Sequence, residues 1–153
     1  MARATTRLTV ALAAAAATAL LAPVGAAGAP LTANLKGKDE VPGPGAKQGG
    51  GSAVIKAKKS QGKVCYELEW RKIAAPNAAH IHKGVAGEAG PIKVPLFTTQ
   101  QVGEAKTGCV TEDAVGNPLS KKLIKKLKKA PEQFYVNIHN AEFPDGAIRG
   151  QLK

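Results

Sequence analysis

Three histidines are the side chains in this chain best suited to chemistry, and their spacing says how they would meet. His80 and His82 lie two residues apart, so a strand presents both on one face and turns Ile81 to the other. Further along, Phe134, Val136 and Ile138 share one strand face, while Tyr135, Asn137 and His139 share the opposite one. If the two strands are close, three imidazoles converge. Neutral imidazole nitrogens suit zinc or copper, and three of them with an open position make a metal site. A second reading needs no metal. The rings then hydrogen-bond loop carbonyls and fasten the glycine-rich segment 84–90. The sequence leaves both open.

Other candidate groups carry less chemistry. Ser52, Ser60 and Ser120 are the only serines, and none sits in the Gly-x-Ser-x-Gly turn that exposes a hydrolase nucleophile. Glu67 and Glu69 share a strand face, where lysines nearby give them solvated partners. Arg149, flanked by Gly146 and Gly150, suits a carboxylate or carbonyl contact that pins the final turn. Trp70 reads as core. The chain therefore reads as a non-enzymatic binding or structural module, with metal binding, and redox activity on that metal, as the alternative.

The elements that must position these groups are short strands. Val64, Tyr66, Leu68 and Trp70 occupy every second place, with Cys65, Glu67, Glu69 and Arg71 between them, the pattern of a half-buried strand. Ala53, Ile55 and Ala57 alternate in the segment before it, and Ser60-Gln61-Gly62 makes the tip of a hairpin. Further strands are expected at 31–35, 78–82, 92–97, 104–111, 133–139 and 147–152, and residues 42–51 read as a Pro/Gly loop. About eight strands at this spacing predict an all-β antiparallel sandwich or barrel. One short basic helix is expected near 118–129, capped by Asn117 with Pro118 in its first turn. Its apolar side chains, Leu119, Leu123, Ile124, Leu127 and Ala130, fall on one arc, and Lys121, Lys122, Lys125, Lys126, Lys128 and Lys129 on the other. Such a face is either merely solvated or an adhesive surface for anionic envelope polymers or lipid.

Residues 1–28 differ in kind from the rest. Arg3 and Arg7 open the chain, an apolar run spans Leu8 to Leu21, Pro23 breaks it, and small residues follow from Gly25 to Ala29. This is the three-part plan of a cleaved secretory signal, and the run is shorter than the ~20 residues that cross a bilayer. A secreted domain at 29–153 is expected, with no membrane-spanning segment after cleavage. The signal holds two of the 22 basic residues and none of the 11 acidic ones, leaving 20 against 11, a net +9. Scarce aromatics and export both argue against a nucleic-acid partner, and the extracellular partner is not named by the sequence. Cys65 and Cys109 meet oxidising conditions outside the cell, so a disulfide is expected, closing a loop of ~45 residues worth about 4 kcal/mol in the chain-entropy model. Neither sits in a C-x-x-C motif.

Three stretches together resemble the CHRD domain, which is named for chordin, an extracellular antagonist of growth-factor signalling, and also occurs in secreted bacterial proteins. The first runs Ala79-His80-Ile81-His82-Lys83-Gly84 and continues through Gly87, Gly90 and Pro91 to Leu96. The second is Phe134-Tyr135-Val136-Asn137-Ile138-His139, and the third runs from Phe143-Pro144-Asp145-Gly146 through Arg149-Gly150 to Leu152. The family's opening L-x-G-x-x-E-V-P-P segment is similar to Leu35–Pro42, with Gly43 in place of the second proline. The resemblance implies an immunoglobulin-like or superoxide-dismutase-like all-β fold and transfers no activity. Copper-zinc superoxide dismutases also use a His-x-His strand, but no comparable zinc-binding loop is present.

Overall fold

The computed structural model describes Met1, residues 28–114 and residues 116–153. The signal segment expected at 1–28 lies almost wholly outside the described residues. Eight strands form one antiparallel sheet: β1 (Leu31–Lys36), β2 (Gly50–Lys58), β3 (Lys63–Arg71), β4 (Pro76–Lys83), β5 (Ile92–Phe97), β6 (Ala105–Thr111), β7 (Phe134–Asn140) and β8 (Ile148–Gln151). Their order across the sheet is β5-β4-β7-β8-β1-β2-β3-β6. The sheet curls until its two ends approach. Tyr66 on β3 donates its hydroxyl to the Leu96 carbonyl on β5 at 3.0 Å, and the Trp70 ring lies 6.4 Å from that of Phe97. The result is the nearly closed all-β barrel or sandwich that the alternation predicts.

Period-two burial sets the core. Val64, Tyr66, Leu68 and Trp70 are all buried, while Glu67, Glu69 and Arg71 between them are exposed. Ile55, Ile81, Val136, Ile138 and Ile148 reach the same core from neighbouring strands. Each such aliphatic side chain stabilises the fold by about 1.5–3 kcal/mol on burial. Cys65 and Cys109 face each other across β3 and β6 and form the disulfide, on the solvent side of that pair. Glu67 pairs with Lys56, and Glu69 accepts from Ser52 at 3.3 Å.

The helix begins later than expected. α1 spans Lys121–Lys129, so Pro118 precedes it. Ser120 is its cap, its hydroxyl accepting from Leu123 N at 3.2 Å, while Asn117 instead accepts from Leu119 N at 2.9 Å in a turn before it. The local Asn-x-Leu turn competes with helix and displaces the start by one turn. Ile124 and Leu127 are fully buried and all six lysines are exposed. The expected loop at 42–51 is also shorter, because Gly50 and Gly51 join β2. A side chain at Gly51 would run into the Glu69 carbonyl oxygen, so close strand approach there requires glycine. Among the described residues no helix is long and apolar enough to cross a membrane.

Candidate functional site

The register of β4 against β7 decides where the histidines meet. Ala78 pairs with His139, His80 with Asn137 and His82 with Tyr135. Alternation then sends Ala79 and Ile81 into the core and all three histidines to the outer face. That outer face is covered rather than open. His82 and His139 are less than a tenth exposed, and His80 is half-buried.

The covering segments are tied down by the same residues. His82 Nδ1 lies 2.8 Å from the Gly90 carbonyl, and His139 Nδ1 lies 2.8 Å from that of Pro144. Tyr135 stacks on His82 at 4.7 Å, and its hydroxyl accepts from Gly90 N at 3.1 Å. Arg149 donates Nη2 to the Val85 and Glu88 carbonyls at 2.9 and 2.7 Å, with its guanidinium 3.5 Å from the centre of the Tyr135 ring. Gln151 donates to the Gly84 carbonyl at 2.8 Å. Pro91 accepts from Lys83 N at 3.1 Å, and a side chain at Gly90 would collide with the Lys83 carbonyl oxygen. Gly87, at φ 83°, takes the left-handed turn that returns the loop. His82 alone of the three fastens segment 84–90, at Gly90, while His139 holds the turn at Pro144. Arg149 holds the Val85 and Glu88 carbonyls of the glycine loop rather than the final turn expected of it.

Hydrogen-bonding leaves one unpartnered nitrogen in the middle. With Nδ1–H donated to a carbonyl, His82 and His139 each carry their lone pair on Nε2. His82 Nε2 is buried and has no partner. His80 Nδ1 donates to His139 Nε2 at 3.1 Å, so both nitrogens can face one ion, ~3.3 Å apart on a tetrahedral centre, only when His80 carries its proton on Nε2 instead. One ligand nitrogen from each ring lies within 4.8 Å of the others. The site keeps its imidazoles neutral. Burial, and then the neighbouring His139 and His82, holds His80 down at about 4. Burial also lowers His82 and His139, against the raising effect of their carbonyl partners.

One residue of this network, Glu40, was quoted in a motif but not singled out. Glu40 is buried, and desolvation pushes its carboxyl up to about 8 despite the lowering effects of Arg149 and Asn137. Asn137 Nδ2 donates to both its oxygens, at 2.9 and 2.7 Å. Tyr135 shares the outer face with His139, which the alternation of β7 already said. Gly146 and Gly150 make room for these contacts: a side chain at the first would strike Glu40 and Asn137, and at the second the Asn34 carbonyl. The lysines of α1 sit apart from the histidine cluster. Lys121 pairs with Glu112 at 3.2 Å, and Lys122 and Lys126 line a separate cleft with Lys83 and Lys93.

Fold and site together define a small, disulfide-bonded all-β domain whose glycine loop is clamped over an imidazole cluster. The family model of the CHRD domain matches residues 31–152, nearly all of the described chain. The chain belongs to the CHRD domain family, and the motifs from Leu35 to Leu152 all fall within that match. No curated protein and no solved structure gives a match.

Proposed function

We propose that this CHRD-domain chain is a secreted, non-catalytic binding protein that holds one zinc or copper ion at His80, His82 and His139. The observation that carries this is His82 Nε2, buried without a partner beside two further imidazoles. An unpartnered buried polar nitrogen costs about 1–3 kcal/mol, which a ligated ion removes. The carbonyl bonds at both Nδ1 atoms support it too, because they orient the rings and fix the tautomer that a metal needs. Three neutral nitrogen donors without a carboxylate suit zinc or copper better than magnesium or calcium. The basic, apolar and small-residue sections of 1–28 support export.

Chelator-treated protein titrated with Zn²⁺ and with Cu²⁺, followed by elemental analysis, tests the site. One ion per chain is expected, with binding abolished in His82→Ala and His139→Ala and a raised melting temperature in the loaded wild type. A wild-type protein that takes up no ion, or variants that retain it, would end this reading. The N-terminal residue of the protein recovered from culture medium tests export; an intact Met1 there contradicts cleavage.

A further inference from the structure

We propose that the cleft between α1 and the β4–β5 edge binds an anionic polysaccharide. The cleft is about 380 Å³ and is lined by Lys83, Lys93, Pro118, Ser120, Lys122, Leu123, Lys126 and Phe134. Lys83 ends β4, Lys93 lies on β5, and Lys122 and Lys126 stand one turn apart on α1. Four lysines from three elements thus line one concavity with no acidic residue in its wall.

None of these four lysines has a carboxylate within 4.0 Å among the described residues; the only ion pairs there are Lys56–Glu67 and Lys121–Glu112. The other stripe of α1, Lys121, Lys125 and Lys128 at i, i+4 and i+7, does not line the cleft. Like charges gathered around a concavity repel one another and raise the local concentration of anions.

The chemistry of the walls selects the class of anion. Exposed Pro118 and half-buried Leu123 give an apolar floor against which the C–H face of a sugar ring can lie, with lysines placed around it for carboxylates. A membrane surface fits poorly. Ile124 and Leu127 are fully buried and Leu119 nearly so, leaving α1 without the apolar face that interfacial helices insert. A single-stranded nucleic acid fits poorly as well, since Phe134 is buried and no aromatic face is offered for stacking.

The test is co-sedimentation and calorimetry of the exported protein with polygalacturonate, linear polyphosphate, and phosphatidylglycerol vesicles as probes. Polygalacturonate is expected to bind best, and to weaken about tenfold between roughly 50 and 300 mM salt. Lys122→Gln with Lys126→Gln is expected to lower that affinity about tenfold, while Lys125→Gln with Lys128→Gln, removing equal charge outside the cleft, changes it less than about twofold. All four positions are exposed, so circular dichroism should show both variants folded. Equal losses from the two pairs, equal or tighter binding of polyphosphate or vesicles, or no binding of polygalacturonate would each overturn the proposal. The histidine variants leave this binding unchanged, so the two proposals fail separately.

Discussion

Asn137 on β7 donates both of its bonds to the Glu40 carboxylate, a contact spanning 97 residues that closes the opening segment over the outer face of the sheet. It places an acid in a site where burial favours its neutral form.

That environment gives the metal-free protein a specific dependence on pH. The Glu40 pKa is raised from 4.5 to about 8 in the folded state, so its contribution to stability is fully present below 4.5 and is lost as pH rises toward 8. The histidines act oppositely. Their folded pKa values lie below 6.5, that of His80 at about 4, so their contribution is present above 6.5 and is lost as pH falls toward 4. Stability measured by urea denaturation is expected to peak near pH 6.5, and Glu40→Gln to flatten the alkaline limb. An alkaline limb unchanged in Glu40→Gln would show that another group causes it.

Arg149 clamps the loop through shape as much as through charge. Its planar fork reaches two carbonyls while lying on Tyr135. A lysine keeps the charge and loses both the fork and the stacking. Arg149→Lys is expected to destabilise the fold by about 2–3 kcal/mol and to speed hydrogen exchange at the Glu88 and Gly90 amides. Unaltered exchange at those amides would mean that the loop is held by other contacts.

The sheet and the meeting of the histidines were legible because both depend on alternation, a local property. Val64 to Trp70 read as a strand from seven residues, and the two histidine faces followed from the same period. The Pro118 start of the helix was misplaced because Ser120 and Asn117 both suit a cap, and Asn117 instead closes a local turn on Leu119 N that leaves Ser120 to cap. Glu40 against Asn137, and Lys83 and Lys93 beside Lys122 and Lys126, depend on strand order β5-β4-β7-β8-β1, which no local pattern contains. The tautomers likewise follow from loop carbonyls at Gly90 and Pro144 that only tertiary structure supplies.

Reduction of the disulfide should weaken the fold without changing it. Cys65 and Cys109 lie on the outer side of β3 and β6, while Val64, Tyr66 and Val110 bury on the inner side. The bond spans 44 residues, and its removal is expected to lower stability by about 2–4 kcal/mol with near-native circular dichroism. A denaturation midpoint that does not move on reduction would show that the bond constrains little in the unfolded chain.

Gly90 couples the backbone of the loop to the imidazole cluster, which makes it the most informative single glycine. Its carbonyl orients His82, its amide bonds the Tyr135 hydroxyl, and its Cα lies against the Lys83 carbonyl. Gly90→Ala must push the loop off β4, so the His82 Nδ1 bond is lost along with the ring orientation it sets. Loss of such an outer partner lowers metal affinity about 10–100-fold in characterised sites. Gly90→Ala is therefore expected to weaken zinc or copper binding by that factor, and to destabilise the apo fold by about 1–3 kcal/mol. Gly87→Ala, at the open tip of the same loop, strains a left-handed turn without touching β4 and should lower stability while leaving metal affinity unchanged. Equal losses of affinity in the two variants would show that the loop as a whole, and not the Gly90 carbonyl, sets the His82 ring.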